Sequence, residues 1–496
     1  MKRYFFMKIN RTSILFLAIP LVLSAFIHTW NPVGFPDIFY DEGIYMYRTM
    51  HILAGEGVQT GYFHDHPFFG QLFLAGTLSL TGYPNSIHPV DDVNSVQMLY
   101  LVPRVLMGIL AVFDTFLIYK ISERCYSKNV GLLASVLFAV MPITWLTRRI
   151  LLDSILLPFL LTSILFALYA KDSKNKKLLV VLSGIFLGIT LFTKETMFVM
   201  IPLIAFLVYR STKNRRMLAV WIIPVILIPL LWPIQSLQDN QFHNWIGDLL
   251  FQVNRENNNF GNIVVSFLQF DPVLLILGLA GIVYCIIKKD WMILLWFVPF
   301  MIFLASIGYV QYFYWIPILP VFCIAAAKLL IDISKKAKEN VRPAMPFVIT
   351  ACVAVFGFTM SFFLVTSNIS GQYDAAAYVL QNVHNSNIPY DENNTTIVSS
   401  AVYSWIFKYV YHMTDVLPDY RYVLFYPVPT NHVVLIADLH MKANVNTGKQ
   451  LQNLYNSTVV IKKFRGGVLD EDLGKYPFTS MNANYEGSEI EIRERK

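Results

Sequence analysis

Two carboxylates, Asp41 and Glu42, stand side by side in the segment FPDIFYDEGIYMYRTMHIL, about ten residues beyond the first long apolar run of the chain. A carboxylate held beside an acceptor can take a proton from an attacking group. A local reading also exists: Asp41 suits the N-cap of a helix starting at Glu42, where its oxygen would accept an orphan backbone N–H. The two roles are compatible, because capping fixes the rotamer of a base. A second set comprises Arg104, Arg148, Arg149 and Lys194, with Asp153 following the paired arginines by four and five residues. Arginine offers phosphate a bidentate fork and lysine a point charge. An acid one turn inside an apolar span is costly to bury, which makes Asp153 a functional candidate; an Arg–Asp pair at helical spacing is the simpler alternative. His64, Asp65 and His66 form a third group, suited to hydrogen bonding. Adjacent ligands in an H-x-H pattern, with no others at set spacing, make a divalent metal the lesser reading.

The elements that must position these residues are membrane helices. The chain has 496 residues, 55% hydrophobic and 14% charged, against roughly 25% charged in a soluble domain. The net charge of +7 does not point to nucleic acid, because the basic residues come in short clusters between apolar runs rather than on one soluble face. Cys285, Cys323 and Cys352 lie in apolar runs and Cys125 in a short basic loop, so no disulfide framework or zinc spacing can be assembled. No cofactor is expected.

A crossing helix needs about 20 apolar residues, and about eleven such spans are expected, near 13–30, 97–119, 130–147, 150–170, 178–193, 197–209, 217–234, 272–287, 291–309, 314–330 and 344–367. The first exceeds the roughly 7–15 residues of a signal-peptide core and reads as a retained anchor. Lys and Arg number 22 in the loops of one side and six in the opposite segments before residue 368. That bias places the N-terminus in the cytoplasm and everything after Ser367 outside. Arg104, Arg148, Arg149 and Lys194 then gather at the outer face, where the same rule disfavours them. The outer loop 31–96 contains DEGIYMYRTMHILAG and FFGQLFLAGTLSL, read as helices lying along the interface. The tail 368–496 alternates helix-like QYDAAAYVLQNV with strand-like TTIVSSAVY, HVVLIAD, STVVIKKF and SEIEIRE, the mixture of a small extracytoplasmic α/β domain. Sequons at Asn368, Asn393, Asn394 and Asn456 agree with an outer location.

In order, the loop Asp-Glu, YFHDHPFFGQLFLAG, VPRVLMGILAVF, RRILLDSILLPFLLT, LFTKETMFVMIP and YFYWIPILPVFCIAAAKLL resemble membrane glycosyltransferases of the GT-C fold. The likeness is to the group containing the dolichyl-phosphate-mannose protein mannosyltransferases and the aminoarabinose transferase of lipid A, over residues 1 to about 367. It implies a polyprenyl-phosphate-linked sugar as donor, an extracytoplasmic protein, lipid or glycan as acceptor, and inversion at the anomeric carbon. Asp41 matches the family's loop-one acid, the general base; Glu42 matches its neighbour, and Asp153 a supporting acid. Many members carry two prolines where this chain has His66-Pro67-Phe68. That Arg148, Arg149 and Lys194 hold the leaving phosphate is inferred from charge and location. The alternative from another class is a lipid-linked sugar transporter or flippase. Transporters place ionisable groups near the midplane on broken helices in repeated halves, whereas this chain gathers charge at one face and shows no repeat.

Overall fold

A computed structural model describes residues 11–59, 64–255, 260–336, 338–366, 371–384, 394–428, 430–465 and 489–495. The chain opens with helix α1 (Arg11–Thr29), followed by α2 (Tyr40–Leu53) and α3 (Phe69–Ser79), which occupy the outer-loop segments where helices are expected. Then come α4 (Val93–Cys125), α5 (Lys128–Val140), α6 (Leu152–Tyr169), α7 (Lys176–Thr193) and α8 (Ile201–Thr212). The apolar helices Arg215–Leu227 and Leu231–Gln238 follow, and Pro272–Ile287, Trp291–Ser306, Leu319–Ser334 and Met345–Val365 come later in the bundle.

Among the described residues, seven helices are long and apolar enough to cross a bilayer, or nine if each of two bent pairs is one span, with shorter apolar helices at Leu17–Thr29 and Trp291–Ser306. Eleven as a number of crossings is not confirmed. Local chemistry explains the bends. Pro142 stops α5, since it lacks an N–H and clashes with the preceding turn, and the chain turns by 70° into Pro142–Arg148. Asp271 caps the helix that Pro272 begins, accepting the Leu274 N–H at 2.8 Å, and the turn there is 114°. Peripheral helices leave apolar side chains such as Ile276, Ile302 and Val355 exposed, while α6 is buried nearly all round, as expected of an inner helix in lipid.

The tail forms a mixed four-stranded sheet of β1 (Thr395–Val398), β2 (His432–Ala437), β3 (Val459–Arg465) and β4 (Glu489–Arg495), in the order β1-β2-β4-β3. β1 runs parallel to β2, and β4 pairs antiparallel with both β2 and β3. The segment SSAVY, expected to continue the first strand, turns instead into the short helix Ala401–Trp405. The change has a packing cause: that helix lies against α2 and is tied to α4, with the Tyr100 hydroxyl donating to the Val402 carbonyl at 2.8 Å and the Trp405 indole donating to Tyr100 at 3.0 Å. Gln372 ties Ile38 with two bonds, accepting its N–H at 2.7 Å and donating to its carbonyl at 2.8 Å. The tail is thus built onto the loop that carries Asp41. The expected boundary after Ser367 and the sequons at Asn368 and Asn393 lie outside the described residues.

Candidate active site

Glu42 is the hub from which the site is built. Its carboxylate accepts from the Phe39 N–H at 3.0 Å, the Ile150 N–H at 3.1 Å, Arg104 at 2.8 and 3.0 Å, and Arg149 at 3.0 Å. Burial works to raise this carboxyl, but Arg104 and Arg149 outweigh it and hold the group below the usual range. The N-cap of α2 is Phe39, with Glu42 reaching back to its N–H, the acidic half of a capping box. This corrects the expectation of Asp41 as N-cap: the helix starts one residue before it, so Asp41 falls in the first turn and Glu42 does the capping.

The same network accounts for three of the cations. Arg104 also donates to the carbonyls of Pro32, Pro36 and Asp37 at 2.7–2.9 Å. Arg149 binds the Asp37 carboxylate at 2.7 Å and its carbonyl at 2.9 Å. Arg148 donates to the carbonyls of Ile27, Trp30 and Asn31. All three are fully buried. Their donors fold the 27–42 loop onto the bundle, and none lines the cavity described next. Arg104, Arg148 and Arg149 are expected to face a phosphate, but none of them lines this cavity, and their terminal nitrogens donate to backbone carbonyls and to the Glu42 and Asp37 carboxylates.

Asp41, one residue from this hub, projects the other way, into a cavity of about 560 Å³ between the bundle and the tail. Among the described residues its carboxylate accepts no hydrogen bond and makes no ion pair. Burial, reinforced by the charge of Asp65 and opposed by His66, Lys194 and Arg421, raises its carboxyl to about 6. The cavity carries Arg48, Arg255 and Arg421 as cations. Arg48 pairs with Asp65 at 2.7 Å and Arg421 with Asp419 at 2.7 Å. Arg255 lies flat on Tyr309, 3.6 Å from the ring centroid, and has no carboxylate partner among the described residues.

The histidine-rich segment spreads rather than converges. His64 is buried, its N–H and ring donating to Asp248 at 2.6 and 3.2 Å; Asp65 turns to Arg48; His66 meets Glu195 at 3.3 Å. Burial would lower the His66 imidazole, yet Glu195 outweighs it and raises it, and Arg48 likewise overcomes burial to hold Asp65 low. Of the three, Asp65 and His66 line the cavity. Among the described residues, no group of three or more His, Cys, Asp or Glu could hold a metal ion. Asp153 does not pair with Arg148 or Arg149 at helical spacing; both its oxygens accept from Lys194, at 2.8 and 3.0 Å. The Lys194 ammonium sits 3.9 Å from the centroid of Tyr314, a cavity-wall residue. Lys194 is therefore directly behind the wall, with its charge reaching Asp41.

Sequence reasoning did not find the contribution of the tail. Tyr420, Arg421, His440 and Asn444 line the cavity opposite Asp41. Tyr40 holds them in place: its hydroxyl donates to Asp419 at 2.7 Å, its ring stacks on His440 at 3.7 Å, and Arg421 covers it at 4.9 Å. Burial lowers the His440 imidazole to about 4, so that ring is neutral near pH 7. The aromatic-basic run DYRY at 419–422, isolated between strands, was the available signal.

Residues 65–234 match the family model described as dolichyl-phosphate-mannose-protein mannosyltransferase. The match takes in His66, Arg104, Asp153 and Lys194, and begins after Asp41. Among solved structures, ArnT from Cupriavidus metallidurans bound to undecaprenyl phosphate is similar over 97% of each chain, at 13% identity and a TM-score of 0.55. The chain has the GT-C fold. The oligosaccharyltransferase AglB from Archaeoglobus fulgidus, in complex with an inhibitory peptide and a dolichol-phosphate, is similar over 85% of this chain and 69% of that one, at 12% identity and a TM-score of 0.57. No curated protein matches the sequence significantly. The family model covers residues 65–234 only, and the similarity to the solved structures is one of fold.

Proposed function

We propose that the protein is a glycosyltransferase of the cell membrane that moves a sugar from a polyprenyl phosphate carrier to an extracytoplasmic protein, lipid or glycan acceptor, with Asp41 as general base. The observation that carries the reading is a carboxylate without a hydrogen-bond partner among the described residues, raised to about 6, in a cavity that also holds Arg255 and Arg421. A base with that proton affinity is ionised near pH 7 and still basic enough to accept a proton in the transition state.

In the proposed step, Asp41 takes the proton of the acceptor hydroxyl or amide as the acceptor atom attacks the anomeric carbon. The bond between that carbon and the phosphate oxygen breaks, and polyprenyl phosphate departs with the electron pair. Its charge needs cations rather than an acid catalyst. Arg255 and Arg421 are the direct candidates, with Lys194 adding charge through the Tyr314 wall. Asp153 keeps Lys194 in place; Glu42, Arg104, Arg148 and Arg149 hold the loop that aims Asp41. The bound dolichol-phosphate and undecaprenyl phosphate of the two similar structures support the choice of donor. The test is to supply the full-length protein in proteoliposomes with a panel of polyprenyl phosphate sugars and measure release of free polyprenyl phosphate together with labelled acceptor. Transfer from at least one carrier is expected; unidirectional movement of intact sugar-lipid across the bilayer without cleavage would replace the reading with transport.

A further inference from the structure

The opposite end of the bundle contains a second cavity. Along α4, Arg104 and the terminal Cys125 are separated by about 30 Å at 1.5 Å per residue, close to the thickness of a hydrocarbon core. There a cavity of about 780 Å³ opens between the ends of α4, α6 and α8 and the turn joining Pro272–Ile287 to Trp291–Ser306. Seven basic side chains and two acids line it. Both acids are taken: Asp172 by Arg124, and Asp290 by Lys328 at 2.5 Å, with the Tyr126 hydroxyl donating to Asp290 at 2.8 Å. Lys171, Arg210, Lys213, Lys288 and Lys289 have no carboxylate partner among the described residues.

The bias of basic residues toward cytoplasmic loops explains why each loop is basic. It does not require separate loops to surround one concavity and to seat two ion pairs within it. Like charges gathered around a concave site repel one another and concentrate anions. The rim adds a second feature: Tyr209 and Trp291 are exposed beside the cations, and amphipathic rings of this kind sit at headgroup level. Phosphate for the cations and glycerol and acyl chain for the rings are found together in one ligand class. We infer that this cavity binds the headgroup of an anionic phospholipid, in the leaflet opposite the candidate active site. The site is separate from the transfer chemistry and does not depend on it.

The test uses the full-length protein in neutral detergent, equilibrated with mixed micelles of phosphatidylglycerol and phosphatidylcholine and read by native mass spectrometry. Retention of one phosphatidylglycerol per chain, in preference to phosphatidylcholine, is expected. The variant Arg210→Gln/Lys288→Gln/Lys289→Gln alters exposed side chains only, so folding is preserved, and it should lose that retention by about tenfold or more. A control, Arg215→Gln/Arg216→Gln/Lys336→Gln, removes three cations that do not line the cavity and should retain the lipid within about twofold. Equal loss in both variants would assign the effect to diffuse charge and overturn the site, as would unaltered retention in the first. Inorganic pyrophosphate bound with no lipid retained would overturn the lipid assignment.

Discussion

At the scale of single residues, Asp41 and Glu42 show how neighbours of like chemistry acquire opposite roles. Glu42 faces two buried guanidiniums and two backbone N–H groups, and its charge is fully used in structure. Replacing one partner of such a network leaves the others buried and uncompensated, which costs about 3–5 kcal/mol. Glu42→Gln is accordingly expected to lower the thermal midpoint in detergent by many degrees, and loss of activity in that variant would report unfolding rather than chemistry. Asp114 presents the reverse case. It lies in α4, 1% exposed, with neither oxygen hydrogen-bonded among the described residues. An unpaired charge there would be expensive, so Asp114→Asn should leave the midpoint unchanged or raise it; differential scanning fluorimetry decides, and a fall of several degrees would contradict the account.

At the scale of elements, α2 carries the proposed base. One side of its first turn is fixed by Glu42, the other by Tyr40, which holds the tail residues Asp419, Arg421 and His440. Between them, Gly43 lies against the backbone of Ala401 and Val402, where an added Cβ would collide with backbone atoms. Backbone cannot give way as a side-chain tip can, and overpacking of this kind costs about 1–3 kcal/mol. Gly43→Ala should therefore lower the thermal midpoint and reduce transfer together, since Asp41 is two residues away; thermal unfolding and activity assayed on the same preparation check it. Unchanged values of both would mean that the contact between α2 and the Ala401–Trp405 helix does not position the base.

At the scale of the whole molecule, the apolar periodicity made the helices legible: every span expected from hydropathy has a helix in the structure, although two are bent pairs and two are short. Strand positions in the tail were also largely legible, because short β-branched runs such as HVVLIAD, continuously apolar and buried on both faces, depend on local pattern, although SSAVY turned into a helix. The partnering of charges was not. Loop position brings Arg148 and Arg149 near the outer face, but only the three-dimensional path of residues 27–42 shows that they donate to its backbone carbonyls and to the Asp37 and Glu42 carboxylates. In the same way, Arg421 and His440 reach the cavity through a tail that folds back across hundreds of residues, a contact no spacing encodes. What the assembled molecule provides is a chamber between the bundle and the tail in which, among the described residues, the Asp41 carboxylate is unpaired beside Arg48, Arg255 and Arg421. The most direct test of that claim is the rate of sugar transfer as a function of pH for the wild-type protein and Asp41→Asn. Because Asp41 must be ionised to accept a proton, the wild-type rate should rise with pH through about 6 and then level. The Asn variant should transfer about 10²- to 10⁴-fold more slowly while binding donor normally and melting no lower than wild type. An Asn variant that keeps both the wild-type rate and its pH profile would contradict the account.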